Sequence, residues 1–276
     1  MGCTLATLGA CLPDAFVQVL LDLLNAALAP LLSFVETLLT QPVDLSPLKG
    51  LWLIIVSTLG LFYGLAFLYA GFNFIIAGFD VARKEAAKLW LKNILMMLVS
   101  VQASYWLYGL LTEMGGMLTA GVFSLIPPDF FLLTANAWEG AGATIVLTTA
   151  YVLTMLYTVL LLMFRYILVV AGVLFFPIGL FLYFLPPLKS LGQLILSLCL
   201  TVVFVPFFAS IGLLISSKLA ETAFFATQKA LLMLGAFCFV NFIITGMLFF
   251  AVIKSALSLL DISLYQGVTN TVRMMK

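Results

Sequence analysis

Histidine is missing from the chain, and charge is nearly so: Asp, Glu, Lys and Arg make up 8% of its 276 residues, against 64% apolar. A soluble domain carries about 25% charged residues. Water cannot solvate a surface built from so few charges, so lipid must cover much of it. Without histidine the chain lacks the commonest general base and the commonest metal ligand. The four cysteines, Cys3, Cys11, Cys199 and Cys238, show no C-x-x-C spacing, which argues against a zinc or thioredoxin-type site. Cys3 and Cys11 could pair if their end faces an oxidising side, while Cys199 and Cys238 fall in apolar spans and read as packing residues. A net charge of +1 argues against bulk electrostatic binding of nucleic acid. No phosphate-binding glycine loop, dinucleotide fingerprint or metalloprotease motif is present, and the longest polar stretch is too short for a catalytic domain. We therefore expect no enzyme activity, no cofactor and no metal. The start lacks a basic region, so a cleaved signal peptide is not expected, and Ala6 stands where myristoylation requires Ser or Thr.

What is present is an all-α, polytopic membrane pattern. Residues 14–40 place Gln18, Asp22, Asn25, Ser33 and Glu36 on one helix face, opposite Leu, Val and Phe, with Pro30 expected to kink or interrupt the helix. Such a helix lies in the membrane interface more readily than it crosses, and residues 1–48 read as an external N-terminal segment. The transmembrane domain is expected over residues 49–260. Leu51 to Gly78 carries no charge and is longer than the ~30 Å hydrocarbon core requires. Trp52 reads as its interfacial anchor. Ser57, Gly64, Gly71 and Gly78 recur every seven positions, and Gly60 joins them, forming a face that another helix can approach closely.

The stretch Asp80 to Lys92 is the electrostatic landmark. Arg83, Lys84, Lys88 and Lys92 give it a basic face for lipid headgroups or a docking partner, with Trp90 at the interface. A second, more polar span is expected over residues 93–112, with Ser100, Gln102, Ser104 and Tyr105. Residues 113–140 have acids and no Lys or Arg; with Pro127 and Pro128 they read as an external loop whose Phe130, Phe131 and Trp138 lie against the membrane surface. From Ala141 to Leu185 two readings compete. Two short spans would turn at Arg165; one long span would run from Ala141 and break near Pro177. The first puts seven basic residues inside and five outside, and the second, leaving Arg165 uncounted, eight and three. The positive-inside rule thus favours the second, while span length favours the first. Two further spans, about 193–216 and 230–253, complete a five-span topology with the N-terminus outside; six is the alternative. Residues 261–276 read as an amphipathic cytoplasmic tail.

Ion-coupled transporters keep acids within their spans. Here the acids sit at ends and in loops, and no internal repeat is visible, which disfavours a small-molecule or lipid transporter. Asn73, Gln102, Gln193 and Asn241 read as inter-helix hydrogen-bonding groups. Arg165 either faces a bundle interior or lumen, or snorkels to the surface. Pro177 and Pro206, inside apolar runs, point to broken helices whose freed carbonyls a neighbour must satisfy.

The layout resembles a known family. Its marks are the elbow Ala82-Arg-Lys-Glu-Ala-Ala-Lys-Leu-Trp-Leu-Lys92, Ser100-x-x-x-Ser104-Tyr105, Arg165-Tyr166, Phe176-Pro177-Ile-Gly179, Pro186-Pro187-Leu-Lys and Val205-Pro206-Phe-Phe. These resemble the TrbL-like inner-membrane proteins of conjugative type IV secretion systems and their archaeal relatives in DNA-import machines, over about Ser33 to Leu260. The resemblance implies an external N-terminus, about five spans, and a homo-oligomeric channel or platform in the cytoplasmic membrane. It also implies a conjugation-type ATPase and pilin-like small subunits as partners, and DNA as cargo without sequence-specific binding. The loop at 113–140 is short, and there is no long soluble tail, unlike in larger family members. A non-conducting scaffold is the remaining alternative.

Overall fold

The computed structural model describes residues 8–76, 81–131, 141–222, 231–250 and 253. These residues contain helices and no strand. The long helices are α1 (Leu8–Thr40), α2 (Lys49–Ile76), α3 (Val81–Gln102), α4 (Ser104–Phe123), α5 (Ala141–Phe184), α6 (Lys189–Ala220) and α7 (Leu231–Phe250), with 3-10 turns at Ser46–Leu48, Pro128–Phe131 and Pro186–Leu188. Five stretches are long and apolar enough to cross a membrane: Asp22–Thr40, Ser46–Ile76, Val146–Phe184, Lys189–Ala220 and Leu231–Phe250. A sixth would be the bent pair Ala87–Gln102 and Ser104–Phe123. This is the architecture of a multi-pass helical membrane protein.

The chain divides into two compact units, and α4, α5, α6 and α7 each contribute to both. Unit 1 comprises Met1–Pro42, Gly115–Tyr166 and Phe204–Gly246; unit 2 comprises Val43–Met114, Ile167–Val203 and Met247–Lys276.

In unit 2, α2 buries Trp52, Val56, Leu59, Tyr63 and Ala70, a stripe at helical spacing. It pairs antiparallel with α3: Tyr69 meets Trp90 edge-on at 5.2 Å, and at the other end the Trp52 indole N–H donates to Ser104 Oγ at 2.9 Å. Trp52 is therefore buried, not an interfacial anchor, because Ser104 gives its N–H a partner inside the fold. The chain bends by 60° between α3 and α4, where Ser104 meets Trp52. The α5–α6 hairpin closes through Pro186–Leu188. Gly192 lies against the Tyr183 backbone, where a Cβ would overlap the Tyr183 amide. The two helices can approach this closely only because residue 192 has no side chain.

In unit 1, α1 contributes Leu28, Val35 and Leu39 to a core completed by Tyr151, Met155, Leu162, Leu213, Phe237 and Ile244. Tyr151 meets Phe237 at 5.6 Å, and the Asn241 amide reaches across from α7 to the Thr154 carbonyl of α5 at 3.2 Å.

Several sequence expectations are corrected here. α1 runs through Pro30 without interruption, and Ser33 Oγ donates to the Pro30 carbonyl at 2.9 Å. Residues 113–123 continue α4 instead of opening the external loop. Gly116 lets this helix approach the end of α1, where a Cβ would stand 3.3 Å from the Thr40 carbonyl. Phe130 is buried and so does not lie against a membrane surface, while Phe131, half-buried, packs on Phe123 and Phe237. Trp138 is outside the described residues. The turn at Arg165 does not form, and the break near Pro177 is absent: α5 is one helix of 44 residues with Pro177 inside it. A proline removes one backbone hydrogen bond, at a cost of about 3 kcal/mol. The buried faces on either side of Pro177, including Val173, Phe176 and Phe181, hold the helix through that loss. α6 likewise continues through Pro206. At about 1.5 Å per residue α5 is far longer than a ~30 Å hydrocarbon core. Cys199 is buried and Cys238 is exposed, so only the first is a packing residue.

Candidate functional site

Four features carry the functional reading. The first is the start of α3. Lys84, Lys88 and Lys92, four residues apart, share one exposed helix face. Lys88 pairs with Glu85 at 2.9 Å, with both side chains more than half exposed. Such a pair contributes about 0–1 kcal/mol and partly offsets the basic face. The Arg83 side chain and Asp80 lie outside the described residues.

The second feature is Arg165. It is 6% exposed, within α5, and its Nη1 donates to the Leu38 carbonyl at 3.4 Å, long for such a bond. Leu38 is in the last turn of α1, where carbonyls have no intrahelical partner and the helix dipole is negative. The guanidinium therefore serves as a cap for α1, brought from another helix. Pro206 is also in unit 1 and Pro177 in unit 2; both are buried. Arg165 and the two prolines thus do not gather in one unit.

The third feature is the small-residue face of α2. Ser57, Gly60, Gly64 and Gly71 are all exposed, and a Cβ placed at any of the three glycines would have nothing within 4 Å. Among the described residues this face serves no packing; α2 packs instead through the stripe from Trp52 to Ala70. Gly64, Leu68, Gly71, Phe72 and Ile75 line a shallow concavity on this side. Gly78 lies outside the described residues.

The fourth feature, which the sequence reading missed, is a pocket in unit 1 of about 380 Å³, half open to its surroundings. Val35, Ile126, Leu213 and Phe237, all buried, form its floor. Phe123 and Phe131 stack at 6.1 Å beside it, and Ser33, Glu36 and Ser124 stand at its exposed or half-exposed edge. Glu36 was a visible signal: a carboxylate within an apolar helix.

The acids are not confined to helix ends and loops. Asp22 and Glu113 are exposed residues well inside α1 and α4. Of the four amide side chains, Asn241 alone makes an inter-helix bond; Asn73 returns to the Tyr69 carbonyl of its own helix, and Gln102 and Gln193 are exposed. No group of metal-ligating residues forms among the described residues. Between the spans of α1 and α2, Asp44 accepts the Ser46 backbone N–H at 2.9 Å, and this bond holds its carboxyl below the ordinary value.

No family model, curated protein or solved structure matches the chain.

Proposed function

We propose that the protein is a multi-copy channel or platform subunit of a type IV secretion-like machine that moves DNA, in import or export. On this reading it lies in the cytoplasmic membrane, with α1 along the interface rather than crossing and its N-terminus outside. The basic start of α3 faces the cytoplasm, beside a conjugation-type ATPase, with pilin-like small subunits against the spans. The layout of elbow, prolines and spans supports the machine. The observation that carries the assembly is the open small-residue face of α2, flanking the face used within the chain about 100° round the helix. Lipid tails are as apolar as leucine, so helices in a membrane associate through close packing, and glycines permit the backbones to approach. A second copy of the chain is the occupant that this face fits.

Deletion of the gene is expected to abolish DNA transfer, with wild-type complementation restoring it. Lys84→Gln with Lys88→Gln, the topology being checked by cysteine accessibility, is expected to reduce both transfer and ATPase association. Unchanged transfer in the deletion strain contradicts the function. Unchanged transfer and association in the double variant remove the docking role and leave a topology anchor.

A further inference from the structure

The pocket of unit 1 has a chemical polarity that specifies its occupant. Its volume of about 380 Å³ lies in the range of small-ligand sites. Its floor is apolar, so the occupant presents an apolar body there. Its edge carries acceptors only. The Ser33 hydroxyl donates its proton to the Pro30 carbonyl and the Ser124 hydroxyl to the Gly121 carbonyl, each at 2.9 Å. Both oxygens then offer lone pairs alone. Glu36 adds a carboxylate, and neither ion pair of the described residues, Lys88–Glu85 or Lys218–Glu221, involves it. Among the described residues no lysine or arginine lines the pocket. An occupant that satisfies this edge must bring a positive charge and N–H donors on an apolar chain.

Three of the lining helices, α1, α6 and α7, contain stretches apolar enough to cross a membrane. Acyl chains are therefore the apolar matter in reach. Glu36 is four residues from the end of the Asp22–Thr40 stretch, where a headgroup and an acyl chain meet. We propose that this pocket is a lipid site selective for a phospholipid with a primary ammonium headgroup, the acyl chain lying against Leu32, Phe123 and Phe131 and the ammonium donating to Glu36. A phosphatidylcholine carries the same net charge without N–H donors, and a phosphatidylglycerol brings an anion toward a carboxylate. Both are disfavoured by the same edge.

The test is native mass spectrometry of the full-length protein released from detergent with equal amounts of dioleoyl phosphatidylethanolamine, phosphatidylcholine and phosphatidylglycerol. One phosphatidylethanolamine per chain is expected to be retained about tenfold in preference to phosphatidylglycerol, the size of one charge-assisted hydrogen bond. Phosphatidylcholine is expected to fall between them. Glu36→Gln, at an exposed position, should abolish the preference while leaving helix content unchanged. Ser33→Trp, which fills the mouth from another exposed position, should remove the retained lipid. Equal retention of the three lipids by the wild type overturns the proposal, as does a preference that survives Glu36→Gln. Saturation by an apolar basic peptide, with no lipid competing, would likewise overturn it in favour of a protein occupant.

Discussion

Gly172 offers a sharp test of the packing in unit 2. The Tyr108 hydroxyl, on a side chain 1% exposed, donates to the Val169 carbonyl of α5 at 2.8 Å, and its ring meets Phe176 at 5.3 Å. Gly172 faces this hydroxyl. A Cβ there would overlap the hydroxyl oxygen and stand 2.7 Å from the ring carbon bearing it. Gly172→Ala must therefore break the bond to Val169 and push the ring aside. An inter-helix hydrogen bond in a membrane contributes about 0.6 kcal/mol on average and up to about 1.7. Overpacking costs about 1–3 kcal/mol. Together these give a loss of roughly 2–5 kcal/mol for Gly172→Ala. Tyr108→Phe alone should cost about 1 kcal/mol, the bond without the overlap. The double variant should cost no more than Gly172→Ala alone, since the same bond cannot be lost twice. Unfolding of reconstituted protein, followed by circular dichroism against added SDS, measures all four corners of the cycle. A neutral Gly172→Ala, or a double variant whose cost equals the sum of the singles, would refute the contact.

Three further outcomes follow from the same geometry. Gly192→Ala should be more damaging than Gly172→Ala, because the atoms it meets are Tyr183 backbone, which cannot swing away; the check is the yield of folded protein and its protease resistance. Arg165→Met should loosen the end of α1 and speed amide exchange around Leu38 and Leu39, whereas Arg165→Lys, keeping the cation, should lose less. Asp44 should titrate below its ordinary value. Its native bond to the Ser46 amide is fully present above the unfolded carboxyl value and is lost as pH falls through the depressed native one. NMR titration of the Asp44 carboxyl reads this directly, and an ordinary value would contradict the turn.

How much of this was legible from the residues depends on where the information sits. The helical membrane class follows from charge scarcity, and α2 from an uncharged run, because both are local sums. The Pro186-Pro187 turn is also local and sits where expected, between α5 and α6. The count of about five apolar spans also agrees with the structure, but its membership differs. α1 contains a stretch long enough to cross, and the expected span at 93–112 is part of a bent pair. The continuity of α5 was not legible, because Pro177 and Arg165 are local helix-breaking and charge signals that packing overrides. Arg165 finds a carbonyl 127 positions away, a partner no window along the chain can reveal. Trp52 was misread for the same reason, its partner Ser104 being 52 residues on. The pocket is assembled from four separate stretches; Ser33, Glu36, Pro128 and Phe131 each stood out along the chain, but no local signal brings them together.

The assembly through α2 is tested most directly by the mass of the protein in native-lipid nanodiscs, wild type beside Gly64→Leu with Gly71→Leu. A Cβ at either position meets nothing within 4 Å in the single chain, so the double variant should fold as the wild type does. A multiple of the 30.1 kDa chain mass for the wild type and a smaller assembly for the folded variant are expected. A wild-type protein of one chain, or a variant with unchanged copy number, would contradict the glycine face as the subunit interface.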